Sequence, residues 1–469
     1  MESSELTKNL PVIEGIKSKY EDSKLDPMSI FNFFFDESIF EMLTLNTNKN
    51  MRLKTQSKIS LFTKEEIKSF IFIHIYMSMY KYPQINLYWE DNILLSSKIK
   101  NVMSYNRFIT LSRYFHISDY EEGDHKANRL LYINCLFSKL NKSFGQLHSF
   151  SSFLTIDESM ASYQGVIHFK QYIKDKNRKW GIKFFALCDS TSSYVYKLIP
   201  YTGKQFSYDT DKGIGPSVAE RLLTDIKTGT HISFDSFFTS FDFLNELHRK
   251  GFFFTGTFLP TKKCYQRFRD VKLKQDEVSI REIEGITYMV YHNKRMIYMA
   301  SNKYSANPIV YLSGRKEVKK VPEMIYVYNK TKSGVDGVDQ ITSIYSSKRK
   351  TYKWWKAVFF YLLDTAIANS SVIFYSQKYT NEMNINSKML YYRKSLCDLY
   401  FSSFILIDEV NLLHCPIELD EKRDCEFCLS RKRKNQKHIK QTKFGCTGCS
   451  NIPLCVRCFI KFHSKNYKQ

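Results

Sequence analysis

Four aspartates in this chain have the side chains and the surroundings needed to handle phosphate esters. Asp157 follows an apolar run in LTIDESM and Asp235 follows another in HISFDSFFTS. Each is therefore expected at a strand end, on the carboxyl edge where open α/β sheets place their sites. Asp336 and Asp339 lie in SGVDGVDQ (residues 333–340). If that stretch opens a helix, a spacing of three stacks both carboxylates on one face, where they repel unless something positive sits between them. Two strand-end aspartates and a helical one can converge on one point. An oxygen-only cluster of that kind suits Mg²⁺ or Mn²⁺, which aligns and polarises a phosphodiester for in-line attack. Each residue also has an ordinary explanation: a strand-end Asp is commonly a turn or cap residue, and Asp336 can equally be a helix N-cap.

A second set of residues has metal-ligand spacing. CEFC (Cys425, Cys428), CTGC (Cys446, Cys449) and CVRC (Cys455, Cys458) are followed by His463, giving seven ligands where two tetrahedral zinc ions need eight. The eighth is His438, His414 or Cys415, and His438 is favoured because it lies between the first two pairs. In a cross-brace, the first and third pairs share one ion, while the second pair joins His463 and the eighth ligand. Six of the eleven cysteines fall in this cluster, which points to metal in a reducing compartment rather than to a disulfide scaffold. Residues 425–469 hold eleven Lys/Arg against one acidic residue. Their basic stretch RKRKNQKHIKQTK, with Arg431, Lys432, Arg433 and Lys434 at its head, suits phosphates or nuclear import; the alternative is a solvated loop.

These groups need a scaffold, and 469 residues provide for two to four domains. With 43% hydrophobic and 16% aromatic residues the chain folds, and a formal charge of +23 favours a polyanionic partner, nucleic acid ahead of a membrane surface. The opening MESSELTKNLPVIEG has no apolar signal-peptide core. Residues 69–80 are too short to span a membrane. Residues 354–375 are long enough but include Lys356, Asp364 and Asn369, so both runs read as buried core helices of a soluble protein. Residues 1–25 are polar and expected to be disordered, and 26–150 are helical, with Thr63 before Lys64-Glu65-Glu66 as a capped start. From about residue 151 short β-branched and aromatic runs alternate with helices at 217–227 and about 241–250, the pattern of an α/β domain. Residues 261–325 are basic and strand-like, with a hairpin at His292-Asn293-Lys294, and read as an insertion. Residues 326–380 return to helix, 381–424 are expected to be a helical linker, and 425–469 are the cysteine module.

Over roughly residues 28–380 and the cysteine tail, the chain resembles the piggyBac family of DDE transposases. The catalytic-domain opening of that family is matched by TIDESMASYQGVIHFKQYIKDKNRKWGIKFFALCDSTSSYVYKLIPYTGK, its second aspartate motif by ISFDSFFTSFDFLNEL, and its third by the run from YNKTKSGVDGVDQ to NSSVIFY. The preceding domain is matched by FFFDESIFEML, FTKEEIKSFIFIHIYMSM, YWEDN and MSYNRFITLSRYFHISD. The resemblance implies an RNase H-like catalytic domain (151–260 and 326–380) interrupted by a β-rich insertion, preceded by a helical dimerisation and DNA-binding domain and followed by a small cross-brace zinc module. It implies that Asp157, Asp235 and Asp336 hold Mg²⁺ or Mn²⁺, with Asp339 a further acid of the same site. The implied activity is nicking of transposon ends, hairpin formation on them, and joining to TTAA targets by a nuclear homodimer. Trp354 would lie near the flanking TTAA bases, and Lys348, Arg349, Lys350 and Lys353 would hold phosphates; the alternatives are a core aromatic and a solvated basic face. The zinc module would recognise end DNA.

The chain departs from the family pattern in its short N-terminal region and in Phe234 and Ser236 beside the second aspartate. Neither change removes an acidic residue. A domesticated, non-catalytic DNA- or chromatin-binding protein is the alternative reading, and a ubiquitin ligase using the cross-brace module is a third, disfavoured by the basic loop and the large α/β domain.

Overall fold

A computed structural model of the chain describes residues 25–56, 59–90, 99–118, 129–148, 151–174, 176, 179–261, 263–307, 309–313, 318–376, 384–411, 416–430, 440–446, 449, 452–455, 457–459 and 462. The predicted disordered stretch up to residue 24 lies outside them. The chain divides into two compact units, Met1–Ile85 with Tyr105–Cys397, and Asn86–Ser104 with Asp398–Gln469.

The first unit opens on helices α1 (Pro27–Asn32), α2 (Glu37–Lys54) and α3 (Lys64–Met79). After α4 (Ile99–Val102), which belongs to the second unit, come α5 (Tyr105–Tyr114) and α6 (Asn134–Gln146). Asp26 caps α1, and Asp36 interrupts the apolar run to cap α2 by accepting from Ile39 N at 3.0 Å. The predicted start at Thr63 is a full capping box: Glu66 N donates to Thr63 Oγ1 at 3.1 Å and Thr63 N to Glu66 Oε2 at 2.9 Å.

One sheet organises the rest of this unit. Its strands are β1 (Phe153–Ser162), β2 (Gln171–Tyr172), β3 (Trp180–Asp189), β4 (Val195–Pro200), β5 (His231–Phe234), β6 (Phe253–Thr257), β7 (Val278–Ile283), β8 (Ile286–Asn293) and β9 (Arg295–Ser301). The order is β2-β3-β1-β5-β6-β9-β8-β7, with β4 also paired to β3. β1 runs antiparallel to β3 but parallel to β5, and β5 parallel to β6. Parallel neighbours need crossovers. These contain α7 (Ile214–Leu222), three residues earlier at its start than the pattern suggests, and α8 (Phe241–Arg249).

Two expectations change here. Asp157 is not at a strand end: it pairs with Ala186 in mid-strand, because β1 continues along β3 as far as Ser162↔Gly181. Its parallel pairing to β5 does stop at Ile156↔Phe234, so Asp157 and Asp235 are next in register where the two strands part. The β-rich insertion is also not separate from the sheet. The β8–β9 hairpin forms as predicted, with Lys294 at φ 57°, and β9 then pairs with β6 through Thr255↔Ser301. A short two-stranded ribbon, β10 (Ile309–Ser313) and β11 (Val318–Pro322), completes the insertion.

Four helices follow: α9 (Glu323–Thr331), α10 (Gly334–Ile344), α11 (Trp354–Ser376) and α12 (Ile385–Asn411). Among the described residues α11 alone has the length and composition of a membrane span, yet 94% of its most apolar window is buried within the fold. Its polar residues have protein partners, as a core helix requires. Asn369 exchanges two 2.8 Å hydrogen bonds with the backbone of Val195, Lys356 donates to Ser112 O, and Asp364 pairs with Arg393 at 2.9 Å.

α10 separates its residues by face. Val335 and Val338 are buried, whereas Gly334 and Gly337 lie against the β3–β4 turn. A Cβ on Gly334 would stand 2.5 Å from Asp189 O, and one on Gly337 would stand 2.1 Å from Ser193 Oγ. Asp189 fixes that turn by accepting from Thr191 N at 2.9 Å and Ser192 N at 2.6 Å. Gly334→Ala is therefore expected to destabilise the protein by about 1–3 kcal/mol, since a backbone oxygen must yield. Gly337→Ala should be partly rescued by Ser193→Gly, because there the clash is with a side chain. Urea denaturation of the three variants checks the contrast.

The predicted helical linker (381–424) is helix over Ile385–Asn411, which runs from the first unit into the second, and no further among the described residues. Pro416–Asp424 is a strand, β12, paired antiparallel to β13 (Gln441–Cys446), which pairs with β14 (Ile452–Pro453). The alternation in Ile417-Glu418-Leu419-Asp420 suits a two-faced strand rather than a helix, and Leu419 is buried.

Candidate active site and metal centres

The sheet brings two of the four aspartates side by side. Carboxylate oxygens of Asp157, Glu158 and Asp235 lie within 4.8 Å of one another, close enough to share an ion. Glu158 was not singled out in the sequence; its Oε1 also accepts from Lys183 Nζ at 2.8 Å. Burial pushes the Asp157 carboxyl up to about 8, with Lys176 opposing the shift and Glu158 and Asp235 adding to it. Without a cation the Asp157 side chain is thus largely protonated at neutral pH.

The odd-numbered residues of β1 face α9, α10 and α11. Thr155 Oγ1 donates to Thr331 O, and Ser159 Oγ to Asp339 Oδ1, while Ser159 Oγ lies 2.7 Å from Tyr361 OH. Thr155 and Ser159 are fully buried, so these bonds fix α10 over the strand that carries Asp157. Asp336 is not the N-cap of α10; Ser333 holds that position and Asp336 lies in the first turn.

The positive group between the stacked aspartates is Lys176, from the Tyr-Ile-Lys-Asp-Lys motif. Its Nζ stands 2.8 Å from Asp336 Oδ1, 3.1 Å from Asp339 Oδ2 and 3.6 Å from Asp157 Oδ2. Burial alone would lower the amine, but Asp339, Asp157 and Asp336 together raise it above the ordinary lysine range. Burial raises the Asp339 carboxyl, against Lys176 and Ser159. Asp339 Oδ2 is cut off from solvent, with the Lys176 ammonium 3.1 Å away. Asp336 stands outside the group formed by Asp157, Glu158 and Asp235 and is linked to it through the lysine. Lys176, Asp336, Asp339, Gln340, Lys348 and Tyr361 line a cavity of about 370 Å³. A buried carboxylate held against a positive charge and an all-oxygen set next to it fit a hard divalent cation.

The basic residues after α10 have diverse positions. Lys348 Nζ donates to Ser162 O beside the cavity, and Arg349 Nη2 donates to Tyr82 O at 3.2 Å. Lys350 is exposed, near the exposed ring of Tyr352. Lys353 and the half-buried Trp354 lie at the start of α11, with Trp354 edge-on to Phe169 at 5.3 Å and to Tyr132 at 6.1 Å. Trp355 rather than Trp354 is the fully packed neighbour, against His116 at 4.6 Å. Lys356, a turn of helix away from Lys353, is buried beside Trp355, and burial with the charges of Lys353 and Lys54 brings its amine down to about 7.

In the second unit the sulfurs of Cys425, Cys428, Cys455 and Cys458 lie within 4.8 Å of one another. These are the first and third pairs, joined as a cross-brace requires. Cys428 Sγ stands 3.5 Å from Cys458 Sγ, and Cys455 N donates to Cys425 Sγ at 3.3 Å. Phe427 and Leu454 pack around them, a dry shell suited to a thiolate-bound ion. Cys446 ends β13 and is buried, with Cys449 packed against the same cluster. His438, His414, Cys415, His463 and the basic residues Arg431, Lys432, Arg433 and Lys434 lie outside the described residues.

Comparison with known proteins agrees with this architecture. A family model described as Transposase IS4 matches residues 26–371. The chain is 26% identical over 384 residues to the human PiggyBac transposable element-derived protein 2, covering 77% of this chain and 62% of that protein. It therefore spans about three-fifths of that relative. It is also 26% identical over 472 residues to the human PiggyBac transposable element-derived protein 3, covering 94% and 76%. Among solved structures, a piggyBac transposase synaptic complex with hairpin DNA superposes with a TM-score of 0.72 at 22% identity, over 92% of this chain and 97% of that one.

Proposed function

Because this chain belongs to the piggyBac transposase family, we propose that it is a metal-dependent DNA transposase that cuts transposon ends, passes through hairpin intermediates and joins the ends to TTAA sites. The observation that carries the reading is the convergence of Asp157, Asp336 and Asp339 around one buried amine, with Asp235 beside Asp157 where β1 and β5 part. The strand order β4-β3-β1-β5-β6 supports an RNase H-like catalytic core.

In this reading Asp157, Asp235 and Asp336 hold Mg²⁺ or Mn²⁺, with Asp339 beside them. A divalent cation held there would supply charge to offset the scissile phosphate and to activate the attacking oxygen. Ser159 and Tyr361 orient Asp339. Lys348, at the cavity wall, would contact the phosphate backbone, and Arg349, Lys350 and Lys353 would extend that basic path. Trp354 keeps part of its ring free to meet a base next to the cut. Arg431–Lys434 serve as further phosphate contacts and as a nuclear address, and a homodimer brings two ends together.

The test is nicking and strand transfer by the full chain on DNA carrying the element's inverted repeats next to TTAA. Cutting in Mg²⁺ or Mn²⁺ that EDTA abolishes supports the reading. End binding without cutting, at full zinc loading, supports a domesticated DNA-binding protein instead.

For the cysteine module we expect two zinc ions per chain by elemental analysis. Cys428→Ser should release one of them and unfold the module, because apparent zinc binding of about 10–16 kcal/mol is folding energy in such small units. Loss of end binding with intact far-UV signal from the first unit is the expected readout.

A further inference from the structure

The ammonium of Lys176 stands where the charge of a metal ion would be needed. It touches three carboxylates from two elements far apart in sequence, at 2.8, 3.1 and 3.6 Å, and only 13% of its side chain is exposed. Mg²⁺ takes carboxylate oxygens at about 2.0–2.1 Å, so carboxylates that now stand 2.8 to 3.6 Å from the ammonium must draw in to bind an ion there. An ammonium left among them would then sit within a few ångströms of a divalent ion, which is strongly unfavourable at the reduced dielectric of a buried site.

We propose that Lys176 is a place-holding cation: with no metal bound, its ammonium bridges Asp157, Asp336 and Asp339 and keeps α10 drawn to β1, and entry of a divalent ion displaces it. This rests on the reading of those carboxylates as a metal site. Lys176 thus competes with the cation that the site takes. Lys176 is carried between paired flanks: Tyr172 pairs with Trp180, their rings 4.9 Å apart, and Ile173 N donates to Lys179 O at 2.9 Å.

The test is Mn²⁺ affinity of the zinc-loaded full chain, read by electron paramagnetic resonance without DNA, alongside thermal unfolding. Lys176→Met keeps the stem and removes the competitor, so it should tighten Mn²⁺ binding by about tenfold or more and lower the metal-free melting temperature, with saturating Mn²⁺ restoring it. Lys176→Arg keeps a charge that cannot be given up and should bind Mn²⁺ no more tightly than the parent, which keeps the test usable if the Met variant folds poorly. An affinity that is unchanged or weaker in Lys176→Met, while Asp235→Asn still weakens it, overturns the place-holder and leaves the metal site standing. A parent that binds no Mn²⁺ beyond what Asp235→Asn retains overturns both.

Discussion

Asp157→Asn is expected to lower the rate of DNA nicking in Mg²⁺ by roughly 10³-fold or more while the protein remains folded. The loss corresponds to about 4 kcal/mol of transition-state stabilisation, the scale on which a divalent cation acts at a phosphoryl oxygen. Folding is preserved because the parent carboxyl, pushed up to about 8, is already largely neutral without metal, and Asn mimics that form. A further outcome follows from the same shift. A carboxyl that titrates near 3.9 when unfolded and about 8 when folded binds more protons in the folded state across that window. Its contribution to stability is complete below the unfolded value and is lost as pH rises through the folded one. Metal-free parent should therefore lose stability from about pH 4 to pH 8, and Asp157→Asn should flatten that slope. Stabilisation of the parent by Mg²⁺ should grow over the same range, because the ion binds the deprotonated form. Melting curves at pH 6, 7 and 8, with and without Mg²⁺, separate these outcomes; a parent slope no steeper than that of Asp157→Asn would count against the assignment.

Arg393→Met is expected to cost about 3–5 kcal/mol of stability. Arg393 is fully buried and donates to Asp364 Oδ1 at 2.9 Å, Ser78 Oγ at 3.0 Å and Ser347 Oγ at 3.1 Å. Asp364 also accepts from Ser347 N at 3.0 Å and from Ser347 Oγ at 2.6 Å, and His74 Nδ1 lies 3.0 Å from Ser347 O. The network ties α3, α11 and α12 to the segment just before Lys348. Removing the guanidinium leaves Asp364 charged and unpaired in the core, whereas Arg393→Met with Asp364→Leu removes both charges and should recover much of the loss. Urea denaturation followed by tryptophan fluorescence measures both. The single variant should also slow nicking by displacing Lys348 from the cavity, even at temperatures where it stays folded.

Much of this molecule was legible one segment at a time. The Thr63 capping box, the β8–β9 hairpin, the apolar strand ending at Phe234 and the pairs of cysteines are all written within a few residues, and each signal is local. Cys425 and Cys428 meeting Cys455 and Cys458 also follows from spacing, because two CxxC pairs each half-enclose an ion. The aspartates could be named as candidates because oxygen ligands beside apolar strands limit the chemistry to hard cations. Which groups meet them could not be read. Lys176 lies 160 residues from Asp336, in a motif whose many lysines look alike, and only the packing of α10 on β1 selects one of them. The mid-strand position of Asp157 depends on β3 extending past β5, and the joining of the insertion to the sheet depends on β9 finding the free edge of β6. Strand pairing and ion pairing between distant segments leave no periodic trace in the chain, since either partner alone has the same sequence signature in water as in the core. The sequence by itself determined the chemistry available and the local elements; the tertiary structure decided which charge stands between the acids.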